Sequence, residues 1–347
     1  MSQFRKVVYS RDVPPGDYVL GADIGGTNSN FGFFQVINST RILRVSWHCK
    51  SQEITDFTQL MITLLEQVRQ AYGIRIAYAC FGAAGVVTPE QDFCKPTNLA
   101  ITISSSALLR QTGLKCAPIV NDFAVIGYGL SSVAPEDLVL VHDGVEYTKG
   151  NKAVLGAGTG LGKSILWWSD ERSRYMPVAS EGGHADCAVQ SNLELEIIEF
   201  IKQEEARECA ISWEDVLSGY GIQRLYRFFS LQNGMRDNKN MLPDEIFARR
   251  NDDKRAQQTF QVYTTLYARC AKNFALDALC LAGLYIAGGI AAKNVPLFEL
   301  EAFSKEFVNC GKQAALLTNI PIWVIADYNV SLYGAAEYLF MERKCHF

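Results

Sequence analysis

Gly21-Ala22-Asp23-Ile24-Gly25-Gly26-Thr27-Asn28 lies between Tyr18-Val19-Leu20 and Phe31-Gly32-Phe33-Phe34. An apolar run, a glycine turn and a second apolar run spell a β-hairpin. Leu155-Gly156-Ala157-Gly158-Thr159-Gly160-Leu161-Gly162 has the same build, between Ala153-Val154-Leu155 and Ile165-Leu166-Trp167-Trp168. Glycines let backbone N–H groups converge on an anion, and Thr27 and Thr159 add hydroxyl donors. Two such hairpins far apart in the chain are expected to act as two half-sites on one polyphosphate. That points to a nucleotide and to phosphoryl chemistry.

The composition fits such an enzyme. At 347 residues the chain is long enough for two cores. It is 48% hydrophobic and 20% charged with a net charge of −4, so no basic footprint for nucleic acid is present. No apolar stretch is long enough for a membrane span, and Met1 to Arg11 lacks the apolar core of a secretory signal. The ten cysteines form no C-x-x-C pair, and several, such as Cys80, Cys270 and Cys280, sit in apolar runs. They read as buried free thiols of a cytoplasmic protein. Four scattered histidines, His48, His142, His184 and His346, make a zinc site improbable.

Periodicity gives a polar lead over residues 1–16 and strands near 17–23, 30–36 and 41–48. A helix follows over Phe57–Tyr72, then a strand over Ile74–Phe81, a Ser104-capped helix to Gln111 and a strand at Pro118–Val120. A second unit begins near residue 133. It has strands at 137–141, 152–156 and 164–169, and helices over 190–204, 220–231, 243–250 and 255–281. Ala282–Ala287 is a buried strand, 295–306 a helix, Pro321–Ile325 a strand and Ser331–Glu342 a closing helix. The class is α/β. The expected domains are 1–132 with 327–347, and 133–326.

Asp23 ends the first strand beside the glycine turn. A carboxylate there opposes a phosphate unless a cation intervenes, which makes Asp23 a magnesium candidate as well as a turn residue. Asp122, in Asn121-Asp122-Phe123, follows a buried strand, where α/β proteins place ligands. A carboxylate there suits a general base for phosphoryl transfer; the alternative is a helix N-cap. Glu181-Gly182-Gly183-His184 and Glu214 carry groups able to pair with sugar hydroxyls, or simply to serve as loop and cap residues. Ile286-Ala287-Gly288-Gly289-Ile290 is a strand-to-helix turn where an adenine could approach the backbone. Ala157 to Ser164 also fits a relaxed Walker A pattern. A P-loop must open a helix, whereas Ile165-Leu166-Trp167-Trp168, a polar turn and Tyr175-Met176-Pro177-Val178 read as a hairpin, which makes Lys163 a surface residue.

Taken in order, these segments resemble the bacterial-type glucokinases of the sugar kinase, actin and heat-shock ATPase superfamily, over about residues 18–342. The resemblance implies two actin-like ATPase (ribonuclease H-like) domains with an active-site cleft between them. It implies ATP and Mg2+, with Asp122 as the base that takes the proton of the sugar 6-hydroxyl. Asn98, Asn121, Glu181, His184 and Glu214 become hexose ligands. Gly25, Gly26, Thr27 and Asn28 with Gly158, Thr159 and Gly160 become the phosphate hairpins, Gly288 and Gly289 part of the adenosine site, and Asp23 the metal ligand. The family usually has a tryptophan three residues after its sugar-loop asparagine; here Ile101 holds that place, which leaves the preferred hexose open. The single Cys187 after Glu181–His184 departs from the cysteine-rich zinc loop of repressor-type relatives. The expected partners are glucose or a related hexose and ATP, with a homodimer as the assembly considered and neither nucleic acid nor membrane. The competing readings are a kinase for another hexose, a sugar-sensing regulator, a P-loop NTPase, and an acyl phosphate kinase or actin-like ATPase. Two carboxylates among the expected ligands favour a polyol over an anionic substrate.

Overall fold

The computed structural model describes residues 4–9, 13–38, 40–145, 147–235, 241–342 and 344. In chain order it holds β1 (Arg5–Val8), β2 (Tyr18–Ile24), β3 (Asn28–Ile37), β4 (Thr40–Lys50), α1 (Phe57–Tyr72), β5 (Tyr78–Ala83), β6 (Phe93–Cys94), β7 (Ile103–Ser104), α2 (Ser105–Thr112), β8 (Ile119–Asn121) and α3 (Asp122–Gly129). Next come β9 (Leu138–His142), β10 (Lys152–Ala157), β11 (Leu161–Ser169), β12 (Arg174–Ser180), α4 (Asn192–Glu204), α5 (Trp213–Leu217), α6 (Gly219–Gln232), α7 (Pro243–Ala248) and α8 (Lys254–Ala278). The chain continues through β13 (Leu284–Ala287), α9 (Gly289–Lys293), α10 (Glu301–Val308), α11 (Ala314–Thr318), β14 (Ile322–Ile325) and α12 (Val330–Met341). The chain divides into two compact units, residues 1–134 with 171–179 and 327–347, and residues 135–170 with 180–326.

The first unit is built on a sheet of order β1-β4-β3-β2-β5-β8. β2, β3, β4 and β1 pair antiparallel, and β5 and β8 then join parallel to β2. Side chains alternate between the faces, as the two-residue strand repeat requires. Tyr18, Leu20, Ala22 and Ile24 pack with Phe57, Leu64 and Leu108 on one side. Val19, Tyr78 and Cys80 pack with Val125, Leu332 and Ala336 on the other. Each crossover helix starts on a side-chain cap: Asp56 accepts from Gln59 N–H, and Ser104 from Ala107 N–H. α12 crosses α3 at glycines. A side-chain carbon at Gly129 would overlap the Val330 carbonyl, and one at Gly334 the Val125 carbonyl. Arg41 clamps α12 through the buried Glu337.

Within the second unit the sheet runs β11-β10-β13-β14-β9. β10 and β11 form an antiparallel hairpin, and β13 and β14 add parallel to it. This repeats the first unit's hairpin followed by two parallel crossovers. α8 is the central helix, buried along Phe260, Tyr263, Tyr267, Cys270 and Phe274. It carries a buried ion network. Arg269, 2% exposed, donates to both oxygens of Glu194 (2.6 and 3.1 Å) and to Glu306 (2.8 Å), and Lys272 also reaches Glu306 (3.0 Å).

Several elements differ from the sequence reading. The expected polar lead contains β1, an edge strand paired with Val45–His48 of β4; residues 1–3 and 10–12 of that lead lie outside the described residues, as does His346. The strand expected from Ile74 starts at Tyr78, because Ile74 is buried as an isolated anchor after the Gly73 cap. The helix expected over 295–306 is a single 3₁₀ turn, Val295–Leu297, followed by α10. Of the described cysteines, Cys49, Cys80, Cys94, Cys270 and Cys280 are buried and Cys209 is exposed, all as free thiols.

Candidate active site

In the first unit the candidate groups gather at the carboxyl ends of neighbouring parallel strands, where the sheet leaves backbone and side chains open to a ligand. Asp23 is the penultimate residue of β2. Its Oδ2 accepts from the Ser331 hydroxyl at 2.9 Å. Burial pushes the Asp23 carboxyl above the usual range, and hydrogen bonds from Ser331 and Asn30 pull it part of the way back. Asn30 Oδ1 lies 2.7 Å from His48 Nδ1, and His48 Nε2 lies 2.6 Å from Ser46 Oγ, so a polar chain runs back from Asp23 through the sheet. The hairpin turn is closed by Gly25 N–H on the Asn28 carbonyl (3.1 Å), and Lys50 donates to the Asn28 side chain (3.1 Å). Thr27 and Asn28 are exposed at its tip.

Asp122 follows β8 directly as the first residue of α3. The cap is its neighbour: Asn121 Oδ1 accepts from Phe123 N–H (3.0 Å) and Ala124 N–H (3.1 Å). Asn121 Nδ2 donates to the Gly85 carbonyl at 3.4 Å. With both lone pairs of its carbonyl taken, Asn121 has only its amide N–H to offer a ligand. Asp122 is thereby relieved of the capping role, although its Oδ1 also accepts from Phe123 N–H at 3.0 Å. Asn98 is exposed in its loop. The Gln52 amide donates to the Asn98 carbonyl (3.0 Å) and to the Gly26 carbonyl (3.1 Å), tying this loop to the hairpin turn. Ile101, 4% exposed, packs in the core of this unit and is no part of an open surface.

In the second unit the motif segments converge on the β10–β11 turn. Gly158 N–H closes that turn on the Gly160 carbonyl (2.8 Å). Gly219 N–H donates to the Gly158 carbonyl at 2.9 Å. Glu214 Oε2 accepts from Leu161 N–H at 2.8 Å. A side-chain carbon at Gly183 would overlap the Leu161 carbonyl, so Glu181–His184 lies directly on the hairpin. Gly288 has φ +91°, which a side chain would strain, and its Cα faces the Ala157 carbonyl. Gly289 then opens α9. Glu181 and His184 are each about half exposed, with His184 Nε2 3.8 Å from Glu181 Oε2.

Lys163 corrects the sequence reading. It is 5% exposed, not on the surface. Its Nζ sits 5.2 Å from the Phe274 ring, over the face of which a cation is attracted. Its stem runs against the position a Gly182 side chain would fill. The neighbouring Cys270 thiol is pushed up by burial to about 11, with the Lys163 charge and hydrogen bond acting against that rise. The residue lies in β11, not in a helix opened by the glycine loop, as a P-loop would require. Lys163→Met, which keeps the bulk and removes the charge, is expected to leave kcat within about threefold, because no phosphate clamp is lost; a P-loop lysine would cost orders of magnitude. Steady-state turnover of the folded variant decides between them.

Among the described residues no three His, Cys, Asp or Glu side chains gather into a metal site, and no helix is long and apolar enough to cross a membrane. Magnesium needs no such cluster, since it is held by one or two carboxylates with substrate phosphates and water. Asp23, beside the turn and with its carboxyl pushed up by burial, fits that requirement.

The architecture is shared with solved sugar kinases. A glucokinase from an Antarctic psychrotroph superimposes with a TM-score of 0.76 at 25% identity, covering 94% of this chain and 99% of that one. The glucokinase of Balamuthia mandrillaris, solved in complex with glucose, gives a TM-score of 0.80 at 22% identity over 94% of each chain. Two hairpin-led α/β units of this kind place the chain in the actin-like ATPase fold to which solved sugar kinases belong. The Glucokinase family profile matches residues 20–342. The Glucokinase of Trichormus variabilis is 31% identical over 342 residues, covering 92% of this chain and 97% of the relative. That of Synechocystis sp. is also 31% identical, over 352 residues. The chain belongs to the glucokinase family and is an enzyme of that family.

Proposed function

We propose that this chain transfers the γ-phosphoryl group of ATP to the 6-hydroxyl of glucose. The observation that carries this reading is the placement of Asp23 and Asp122 at the ends of β2 and β8, on either side of β5 in one parallel array. One carboxylate stands beside a phosphate-type turn and the other stands apart from it, as metal holding and hydroxyl activation require. Asp122 accepts the proton of the sugar 6-hydroxyl as that oxygen attacks, a role worth ~10²–10⁴-fold in rate. Glu181, His184 and Glu214, with the Asn121 amide and the Asn98 loop, bind the sugar hydroxyls and hold the reacting oxygen in place. The turns Gly25–Asn28 and Gly158–Gly160 hold the nucleotide phosphates, and Gly288 and Gly289 lie against the adenosine. Asp23, with the nucleotide phosphates, would hold magnesium, which would neutralise the transferring charge.

A panel of glucose, mannose, fructose and N-acetylglucosamine with ATP and magnesium tests the assignment. Glucose should give the highest kcat/KM, with no turnover when magnesium is chelated. A site that pairs each hydroxyl rejects an analogue lacking it, because its own polar groups are left unpaired. A higher kcat/KM for another hexose would replace glucose as substrate and keep the chemistry. Absence of phosphorylation on every hexose would overturn the reading.

A further inference from the structure

We propose that Glu214 is a positioning residue for the nucleotide hairpin, and that the carboxylate expected to read the sugar thereby also sets the loop that receives ATP. The inference rests on the proposed function for what the two segments bind, and on the geometry for their connection.

Glu214 Oε2 accepts the backbone N–H of Leu161 at 2.8 Å, at the point where the glycine turn enters β11. The Cα of Gly160 lies directly under the same oxygen, and a side-chain carbon there would overlap it. Glycine at 160 and an acid at 214 are therefore one feature, written in two places. Among the described residues no hydrogen bond involves Glu214 Oε1, and the side chain is partly exposed, so one oxygen faces the hairpin and the other remains for a ligand.

Glu214 is itself held firmly. It is the second residue of α5, whose start is a reciprocal capping box between Ser212 and Asp215. Asp215 is further bound by Arg207 (2.6 Å), and Arg224 donates to the Asp215 carbonyl (2.8 Å). The end of α5 is fixed by Tyr263, whose hydroxyl donates to the Leu217 carbonyl at 2.9 Å. A rigid acceptor on a rigid helix fixes the amide it holds, and the far side of the turn is fixed by Gly219 N–H on the Gly158 carbonyl. Leu161 N–H is thereby committed to Glu214 and is not a phosphate donor. Its role is to set the turn.

Three forms of the full chain separate this role from sugar binding: the parent, Glu214→Gln and Glu214→Met. Glutamine keeps a carbonyl acceptor for Leu161 N–H while altering the group offered to the sugar. Methionine keeps the bulk and removes the acceptor; as Glu214 is partly exposed, both variants should fold. The first readout is amide hydrogen exchange at Leu161 without ligand. The second is calorimetric titration of Mg–AMPPNP into sugar-free protein. Glu214→Met should speed Leu161 exchange by at least about tenfold and weaken Mg–AMPPNP binding by about five- to fiftyfold, the range for a buried donor left without its partner. Glu214→Gln should stay within about threefold of the parent in both, while glucose binding falls in both variants. Protection of Leu161 surviving in Glu214→Met would overturn the proposal, and so would Mg–AMPPNP affinity within twofold of the parent. Neither readout needs turnover, so failure of the hexose panel leaves this test standing, and failure here leaves glucose phosphorylation standing.

Discussion

Asp122→Asn should bind glucose with near-parental affinity and turn over at least ~10²-fold more slowly. Asparagine has the same shape and can still accept Phe123 N–H through its own carbonyl, as Asp122 does at 3.0 Å. The start of α3 does not depend on the exchanged charge, because Asn121 supplies the cap from its own side chain. What the variant loses is the capacity to take a proton. A loss confined to kcat, with the glucose dissociation constant and melting temperature held, is the signature of a group acting in the transition state. Turnover within a few-fold of the parent in a folded variant would remove Asp122 as the base.

Arg269→Ala should cost the second unit about 3–5 kcal/mol, because it strands Glu194 and Glu306 in the interior without their main partner. The arginine also donates to the Ala188 carbonyl at 3.0 Å, so the loop before α4 loses an anchor. The pH dependence gives a second check. Burial pushes both glutamates up, but hydrogen bonds and charge from Arg269, joined at Glu306 by Lys272, hold each below the ordinary carboxylate range. A carboxyl depressed in the folded state contributes stability that is full above its unfolded pKa and is lost as pH falls through the folded value. Without Arg269 most of that contribution is lost, Glu306 keeping Lys272 and Glu194 keeping Gln190 N–H, and protonation of the stranded carboxyls relieves their burial. The gap between parent and variant in urea unfolding should therefore narrow below about pH 4. A gap under about 1 kcal/mol at neutral pH, or one that ignores pH, would show that the network carries little.

The two glycine hairpins were legible because their signals are local: an apolar run, a turn that only small residues make, and another apolar run. The long amphipathic helices Phe57–Tyr72 and Lys254–Ala278 stood out for the same reason. β1 did not, because four residues at a sheet edge, with Val7 alone among them partly buried, leave almost no alternation to read. The sequence does not show the burial of Lys163, because a lysine on a strand is usually solvated; its cover comes from Phe274, more than a hundred positions away. Among the site residues, Asp23 could be placed at the end of its strand and Asp122 just after the end of its own. The division of labour between Asn121 and Asp122 could not, since N-capping depends on backbone geometry and both residue types cap well. Gln52, which joins the Asn98 loop to the Gly26 turn, carries no motif at all.

The glycine crossing of α3 and α12 bears on how the protein emerges from the ribosome. The first unit draws its α12 from a segment made about 200 residues after α3, or ~10–40 s later at ordinary elongation rates. Until then Val19, Cys80 and Val125 lack their cover of Leu332, Ala335 and Leu339. The second unit, whose strands and helices are all synthesised by Ala326, is complete first, reversing the usual N-to-C order of vectorial folding. A nascent chain in that interval carries an uncovered apolar sheet face along Val19, Cys80 and Val125.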